Sequence, residues 1–567
     1  MTSGSVDIAF INGRIITVDK FFSVCNALWV SQGKIAALGT NDDIIALCGD
    51  VQVVDLAGKS ITPGFVDTHG HIGLFGLDEL KVQLEGAMTR EDIISRIAEA
   101  AKTAPAGQWL ITTPIGTSPY FLDFEPLRAA GELPTRLDLD RVAPDNPVYI
   151  TAPTNRVPNS AILNSLALSK AGIEADTPTD APIEIVLDAN GEMTGELRGA
   201  MQPLYNPYPF YDRIALQIPP ITYADRLAGI RALAPKFAEA GTTTLLEAHL
   251  THPEELRAYG ELVEQEALPL RVSFTFEIDG NASVEEIENF LATLRFAAGD
   301  GFGTSRLKVV GISAGLDGPH WHGAAASDKP YLGPFGEMVD PSTLIPAEKY
   351  AQIVKLAVEH GLRLHTECAG RASIELTMQT LKDADTRSSL REKRFVIEHC
   401  EFPTREQIQL CAELGVIPTT STNFIWGKGE EVFEQRLGRE YAERAIPLRE
   451  WLDAGVPVCQ STDWGPRDVM FTLWQSLVRQ AGLTGKCVGD SQHISREEAI
   501  RIFTINGAYA LGMEDQIGSL EVGKCADLVV LSDDLLNCDV NDIRDISVLL
   551  TMRDGEVIHV RRDAPLI

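Results

Sequence analysis

Apolar, strand-like runs alternate with amphipathic helical stretches through the middle of the chain. The strand-like runs are TTTLLEA, RLKVVGI, LRLHTE, RFVIEHCE, GVIPTTS and VPVCQSTD. Stretches such as PAEKYAQIVKLAVEHG and TREQIQLCAELG separate them and have the apolar spacing of helices. Regular alternation of strands and helices is typical of a parallel sheet. The middle of the chain is therefore predicted to fold as successive β/α units.

The two ends of the chain carry short strands and turns instead. Residues 6–60 contain VDIAFING, GRIITVD, ALWVSQGKIAALG and VQVVDLAG, with a hairpin signal at Asn12-Gly13. The C-terminal part contains CADLVVLS and VLLTMRDGEVIHV, with a turn at Asp554-Gly555. We expect both ends to meet in one small β-domain.

Residues from about 80 to 230 interrupt the β/α rhythm. They are rich in proline and turn signals, and they contain one clear amphipathic helix, TREDIISRIAEAAKTA. Thr89 is positioned to cap the first turn of that helix. This part of the chain is predicted to be an insertion.

Histidine and aspartate residues close several of the apolar runs. In TPGFVDTHGH, His69 and His71 are two residues apart, so on a strand their side chains project to the same side. Such a pair is a natural chelate for zinc-like metals, although two unrelated histidines could produce the same motif. His365 ends GLRLH, His399 ends RFVIEH and Asp463 ends GVPVCQSTD. Because strand C-termini converge on one face of a (β/α)₈ barrel, these side chains are predicted to form a metal site there.

The spacing of these residues agrees with a barrel. A barrel of ~250 residues gives ~31 residues to each β/α unit. If His69 and His71 end strand 1, then His365, His399 and Asp463 end strands 5, 6 and 8. Lys308 falls on strand 4, and the surplus of roughly 140 residues before it matches an insertion after strand 1.

Lys308 lies inside an apolar strand and has two interpretations. A lysine there usually extends its amine to solvent or pairs with a carboxylate. Burial can instead lower the pKa of the amine, so that it reacts with CO₂ and the resulting carbamate bridges two metals. The residues alone leave both interpretations open.

Charge and cysteine content exclude several functional classes. The chain has 49 basic and 80 acidic residues, for a net charge of −31, which argues against nucleic acid and anionic membranes as partners. Nine cysteines without a C-x-x-C pair indicate reduced thiols. The sequence shows neither a signal peptide nor an apolar run of about 18 residues. We therefore expect a cytoplasmic protein with a small-molecule substrate, and a homodimer is compatible with the sequence.

Several motifs together resemble the amidohydrolase superfamily of metal-dependent hydrolases. They are PGFVDTHGH, the strand-terminal His365, His399 and Asp463, and ISREEAIRIFTINGAYALG followed by IGSLEVGKCADLVVL. LPTRLDLDRVAPDNPVYI and NSLAL, with the long insertion, are similar to the branch that contains N-substituted formamide deformylase. The resemblance implies a distorted (β/α)₈ TIM barrel in residues 63–514 with an inserted region at about 80–230. It also implies a β-sandwich built from residues 1–62 and 515–567.

The same resemblance implies an activity and a ligand set. The expected reaction is hydrolysis of a C–N bond in an amide, N-formyl or N-acyl compound (EC 3.5), by a hydroxide that one or two divalent ions activate. Zinc is the first expectation, and manganese, iron or cobalt are compatible. Carried over by position, the first metal is held by His69 and His71, the second by His365 and His399, with carboxylated Lys308 as the bridge and Asp463 as metal ligand and general base.

Some positions depart from the branch pattern and leave the substrate open. Pro158-Asn159 replaces a Gly-His, His365-Thr-Glu-Cys-Ala-Gly370 has no Asp, and Ile312-Ser313 stands where Asp-Gly-Ser is usual, with Asp317-Gly318 only later. Substrate contacts are expected from loop residues His320, Trp321, His322 and Trp464. Glu247 and His249, on the expected strand 3, could face the pocket or support it. Deamination, ester or lactone hydrolysis, decarboxylation and a catalytically silent scaffold remain as alternatives.

Overall fold

An eight-stranded parallel barrel forms the centre of the protein. The computed structural model describes residues 5–180, 182–201, 209–386 and 389–562. The barrel strands are β1 (Phe65–Gly70), β2 (Thr242–Leu250), β3 (Arg271–Glu277), β4 (Leu307–Gly315), β5 (Leu364–Cys368), β6 (Val396–His399), β7 (Ile417–Thr420) and β8 (Cys459–Gln460). Neighbouring strands pair in parallel in this order from β1 to β8.

The barrel closes between β8 and β1. The Asp463 amide donates to the His69 carbonyl at 3.1 Å, and the Thr68 hydroxyl donates to the Gln460 carbonyl at 3.1 Å. This closure confirms the predicted distorted (β/α)₈ fold. It also brings His69 beside Asp463, although they are far apart in the sequence.

Helices pack around the barrel and connect its strands. The main ones are Tyr223–Glu239 before β2, then Pro253–Glu264, Val284–Leu294, Ala347–His360, Arg371–Asp385, Arg405–Leu414, Leu448–Asp453 and Val469–Val478 after β2 to β8 in turn. Two of them end at a glycine with left-handed backbone, Gly361 at φ 69° and Gly415 at φ 71°, where a side chain would be strained. Among the described residues, no helix is long and apolar enough to cross a bilayer.

Both ends of the chain contribute to a β-domain at one side of the barrel. One sheet has the order Glu556–Val560, Val548–Arg553, Leu528–Leu531, Ser60–Pro63, Arg14–Ile16 and Val24–Cys25. A second sheet has the order Lys34–Gly39, Ala27–Ser31, Ile8–Ile11 and Gln52–Asp55. N-terminal Ser60–Pro63 pairs antiparallel with C-terminal Leu528–Leu531, so the two ends share one sheet.

The two predicted turns behave differently. Asp554, at φ 51°, closes the hairpin between Val548–Arg553 and Glu556–Val560, as predicted. Asn12 also adopts positive φ, 54°, but the strands on either side of it belong to different sheets. The prediction of a hairpin at Asn12-Gly13 is therefore wrong, because the turn passes the chain from one sheet to the other.

The inserted region between β1 and β2 is more regular than its composition suggests. It contains a five-stranded sheet in the order Glu184–Leu187, Met193–Gly199, Asn159–Leu163, Val148–Ile150 and Leu110–Thr112. The predicted helix is present as Arg90–Thr103, and the Thr89 hydroxyl accepts from the Asp92 amide at 3.2 Å. The side chain of Asn155 donates to the Trp464 carbonyl at 3.0 Å, which ties the insertion to the end of β8.

A buried ion cluster joins the barrel to the β-domain. Arg271, at the start of β3, is 2% exposed and donates to both carboxylate oxygens of Asp527, at 3.1 Å each. It also donates to Asp554 in the C-terminal hairpin and to the Ser305 carbonyl. Arg271 therefore links the amino-terminal end of the barrel to strands formed by the end of the chain.

Candidate metal centre

Three side chains at the carboxyl end of the barrel form a compact set of metal donors. His69 lies in β1, His71 directly after it, and Asp463 after β8. His71 Nε2 is 3.2 Å from His69 Nε2 and 3.2 Å from Asp463 Oδ1, and His69 Nε2 is 3.7 Å from Asp463 Oδ1. Ligand atoms ~2.1 Å from a tetrahedral ion are separated by about 3.4 Å. The triangle therefore has the size that a zinc-like ion requires.

Two further histidines surround this triangle. His399, at the end of β6, places Nδ1 3.6 Å from Asp463 Oδ2. His249, near the end of β2, places Nε2 3.0 Å from Glu398 Oε2. The donor atoms of His69, His399 and Asp463 lie within 4.8 Å of one another, and so do those of His69, His249 and Glu398. His69 belongs to both groups and is the centre of the cluster.

Several buried polar atoms in the cluster lack a hydrogen bond within the described part of the chain. They are His69 Nδ1, His249 Nε2, Glu398 Oε2 and Asp463 Oδ2. A buried polar atom without a partner costs ~1–3 kcal/mol. Imidazole nitrogens and carboxylate oxygens are suitable ligands for divalent metals. The residues present therefore fit a divalent ion.

The electrostatics of the cluster keep Asp463 and His399 in the protonation states that metals need, whereas the neighbouring carboxylates outweigh burial and raise the pKa of His69 and His249. Burial by itself raises the pKa of Asp463, but the surrounding His69, His71 and His399 imidazoles outweigh it and lower the pKa to about 2. Burial lowers the pKa of His399 to about 4. At neutral pH Asp463 is an anion and His399 is neutral, and both can donate a lone pair to a cation.

The backbone is strained where these side chains meet. His249, His399 and Asp463 have φ values of 58°, 64° and 46°, which non-glycine residues rarely adopt. Such conformations cost roughly 1–3 kcal/mol each and cluster at functional sites. Strain at the ends of three strands is consistent with a geometry that the site requires.

His365 does not join the donors, which corrects the prediction that it binds a second metal. β5 continues to Cys368, so His365 is the second residue of the strand and lies deeper in the barrel. Its Nδ1 is 3.2 Å from Glu398 Oε1, and that oxygen is 3.6 Å from His69 Nδ1. Two residues later, on the same face, Glu367 reaches the mouth, with Oε1 3.7 Å from His399 Nε2. β5 extends three residues beyond its predicted end at His365.

The prediction that Lys308 bridges two metals is also wrong. Lys308 is on β4, as expected, but it is the second residue of the strand and pairs with Gly303 and Ser273. Gly315 at the mouth is about 23 Å further along an extended strand. Burial lowers the pKa of Lys308, and Asp300 opposes that shift. The Lys308 amine therefore lies at the end of the barrel opposite the metal donors. It is interpreted as an ordinary lysine near a carboxylate and not as a carbamate.

We expect Lys308→Met to leave the metal content and the turnover within about twofold of the wild type, because the side chain is remote from the donors. Metal analysis and steady-state kinetics on the purified variant test this. Loss of metal or of turnover in a folded variant would show that Lys308 does reach the centre.

A cavity of about 770 Å³ opens above the donors, within the usual size of small-molecule sites. Of the predicted substrate contacts, Trp321, His322 and Trp464 line it. The Trp464 ring lies 4.8 Å from the Phe75 ring and 6.4 Å from the His71 ring, measured between centroids. His320 is buried behind the wall, and its Nε2 is 2.8 Å from the Ser327 hydroxyl.

Carboxylates that sequence analysis missed make up much of the site. Glu277, Glu367 and Glu401 line the cavity, and Glu398 lies beneath the donors. Each follows or ends an apolar run, which was the only signal that could have found them. His249 lines the cavity, which is one of the two predicted possibilities, but it lies on β2 and not on the predicted strand 3.

Glu247 supports the histidine pair from below. Its carboxylate accepts from the amides of Ile72 at 2.9 Å and Gly73 at 3.2 Å, directly after His71. The Tyr259 hydroxyl donates to the same carboxylate. Burial raises the pKa of Glu247 to about 8. These bonds hold the backbone that carries His71.

Asp317, the aspartate of the displaced Asp-Gly pair, organises the loops after β4 and β5. It accepts from the Ala326, Ala369 and Gly370 amides and from the Ser373 hydroxyl, at 2.7–2.9 Å. The departure from the branch pattern therefore changes the wall of the pocket and leaves the donors intact.

Comparison with known proteins identifies the family. Residues 52–559 match the model of the amidohydrolase family. N-substituted formamide deformylase from Arthrobacter pascens is 26% identical over 98% of this chain and 98% of its own. A metal-dependent hydrolase of uncharacterized function from Pyrococcus furiosus superposes with a TM-score of 0.68 at 22% identity, over 94% of this chain and 100% of its own. Atrazine chlorohydrolase from Arthrobacter aurescens TC1, solved with zinc, has a TM-score of 0.53 at 14% identity, over 99% and 96% of the two chains. The chain therefore belongs to the amidohydrolase family of hydrolases.

Proposed function

We propose that this protein uses a divalent metal to hydrolyse the C–N bond of a small amide, with N-formyl and N-acyl compounds as the first candidates. The observation that carries the proposal is the donor triangle of His69, His71 and Asp463, whose sides of 3.2, 3.2 and 3.7 Å suit one tetrahedral ion. Membership of the amidohydrolase family and the similarity to a formamide deformylase over nearly the whole chain support it.

Asp463 is the proposed general base. When bound, a divalent ion, zinc in our proposal, polarises the carbonyl and lowers the pKa of water to about 7. Asp463 Oδ1 faces His71, whereas Oδ2 has no hydrogen bond among the described residues. Oδ2 can therefore accept a proton from the attacking water and deliver it to the leaving nitrogen, because an amine leaves poorly when it is unprotonated.

His249 is proposed to complete the donor set in a fixed tautomer. Its Nδ1 lies 2.7 Å from Glu277 Oε2, so the Nδ1 proton is donated to that carboxylate and Nε2 faces the cluster. Hydrogen bonds of this kind orient a histidine and raise its basicity as a ligand. Because His69 is shared by both donor groups and Lys308 is remote, we propose one tightly held ion.

We expect purified protein to contain about one zinc-like ion per chain and to lose turnover when a chelator removes it. Metal analysis tests the content, and a screen of N-formyl, N-acyl, carbamate and aryl-amide compounds for amine release tests the reaction. His69→Ala should lose the metal, whereas the matched change at exposed His252 should keep it.

Other outcomes of this screen would contradict the proposal. A chain that stays inert after zinc or manganese is added would favour a silent scaffold. Release of ammonia, of an alcohol or of CO₂ as the main product would assign deamination, ester hydrolysis or decarboxylation instead.

A further inference from the structure

Glu401 is a buried carboxyl group in the cavity wall with no hydrogen-bond partner for either side-chain oxygen within the described ranges. It is 1% exposed and follows β6 by two residues. The nearest basic atom is His320 Nδ1, 3.8 Å from Oε2, which is too far for a hydrogen bond. Burying an unpartnered carboxyl costs free energy. A ligand group that donates hydrogen bonds would remove that cost.

The charge of the cavity favours the same kind of ligand. Its described lining residues include six acidic side chains and no lysine or arginine; the acidic residues are Glu247, Glu255, Glu277, Glu367, Glu401 and Asp463. Burial raises the pKa of Glu247 and Glu401 to about 8, so a cation beside them would favour their charged forms. Glu255 is paired with Arg226 at 2.5 Å, and Asp463 belongs to the donor triangle. A carboxylate or phosphate on the substrate would find no cationic side chain on this wall.

Two lysines close to this region, among the described residues, already have hydrogen-bond partners. Lys349 donates to the carbonyl of the lining residue Gly280 at 2.6 Å. Lys428 is buried, donates to the Asn155 carbonyl and lies 5.0 Å from the centre of the Trp321 ring. Lys428 does not line the cavity, but its charge acts on Glu401: burial raises the pKa of that carboxyl to about 8, and Lys428 opposes this larger effect by lowering it. A bound cation would likewise favour the charged form of Glu401.

The wall around Glu401 also suits an aromatic or apolar substrate body. Trp321 and Phe424 line the cavity with their ring centroids 5.0 Å apart. Leu344 and Ile345 extend the apolar surface. Aromatic faces attract cations as well as rings, so the same wall can accept a ring that carries a positive nitrogen group.

We propose that the cavity selects substrates whose end remote from the scissile bond carries a cationic nitrogen group, an amine or an amidine, and that Glu401 binds this group. The inference rests on the proposed hydrolytic function. It adds the charge of the substrate, which neither the family nor the donor set determines.

Three para-substituted benzylformamides of similar size test this inference: the aminomethyl, methyl and carboxylate compounds. Calorimetry with the metal-loaded protein measures their dissociation constants, and amine release measures their turnover. We expect the aminomethyl compound to bind about tenfold or more tightly than the carboxylate compound, because only the former complements Glu401.

Glu401→Gln should reduce this preference by about tenfold, since it keeps the shape and removes the charge. Glu406→Gln is the matched control, because it removes one charge from the exposed face of the next helix. That variant should keep the wild-type preference. Circular dichroism verifies that both variants are folded.

The outcomes separate the inference from the proposed function. Equal binding of the aminomethyl and carboxylate compounds, no binding of any of the three, or an unchanged preference in Glu401→Gln would overturn the role of Glu401. The expected binding preference without amine release from any compound would support charge selection and contradict hydrolysis of formamides.

Discussion

Exchanging Asp463 for asparagine is expected to lower turnover by about a thousandfold or more while the barrel remains folded. Asparagine has the shape of aspartate, but it cannot accept a proton at neutral pH and is a weaker metal ligand. The expected loss of turnover therefore has two causes: the general base is missing, and the metal is bound more weakly. The backbone amide at residue 463, which bonds to the His69 carbonyl, is retained in the variant.

Asp468→Asn is the matched control for this experiment. Asp468 lies five residues later and caps the helix Val469–Val478, accepting from the Met470 amide at 2.9 Å. Losing part of a helix cap costs at most ~1 kcal/mol of stability, and turnover should stay within about twofold. Steady-state kinetics, metal analysis and circular dichroism on both variants provide the comparison. Unchanged turnover in Asp463→Asn would rule out its role as the base.

Replacing Arg271 with alanine is expected to reduce the free energy of unfolding by about 3–5 kcal/mol. The change leaves the carboxylate of Asp527, which is 2% exposed, buried without its bidentate partner. It also removes the link from β3 to Asp554 in the C-terminal hairpin. We expect the junction between the barrel and the β-domain to open first. Thermal and denaturant unfolding followed by circular dichroism measure the loss.

Two comparisons make this result specific. Arg439→Ala removes an exposed arginine paired with Glu443 and should cost less than about 1 kcal/mol. The double variant Arg271→Met, Asp527→Leu removes both buried charges and should recover much of the loss. A cost for Arg271→Ala no larger than that for Arg439→Ala would contradict the importance of the cluster.

Part of the candidate metal centre could be predicted from the sequence because local periodicity determines it. In His69 and His71 the two-residue spacing of a strand places both rings on one side, and their Nε2 atoms are 3.2 Å apart. His399 and Asp463 end apolar runs, and in a barrel such ends converge on one face. The same regularity predicted the fold and the insertion after the first strand.

The depth of each residue within the barrel was decided only by the tertiary structure. Lys308 and His365 lie on the predicted strands, but the strands extend further toward the mouth than their apolar runs indicate. Strand length depends on pairing with neighbours, which composition does not encode. Glu367 therefore lies at the mouth of the barrel, where His365 is predicted, and Lys308 lies at the opposite end.

The sequence by itself determined the β/α barrel, the joining of the two chain ends and the histidine pair with its two strand-terminal partners, because each depends on repeating local patterns. Only the tertiary structure brought Glu277, Glu367 and Glu401 to the same cavity and placed Glu398 beneath the donors. Glutamates are mostly exposed in folded proteins, so the sequence alone gives no sign that a particular one is buried. Its burial beside histidines depends on the closure of the barrel and on the loops that cover it, and these are properties of the whole fold.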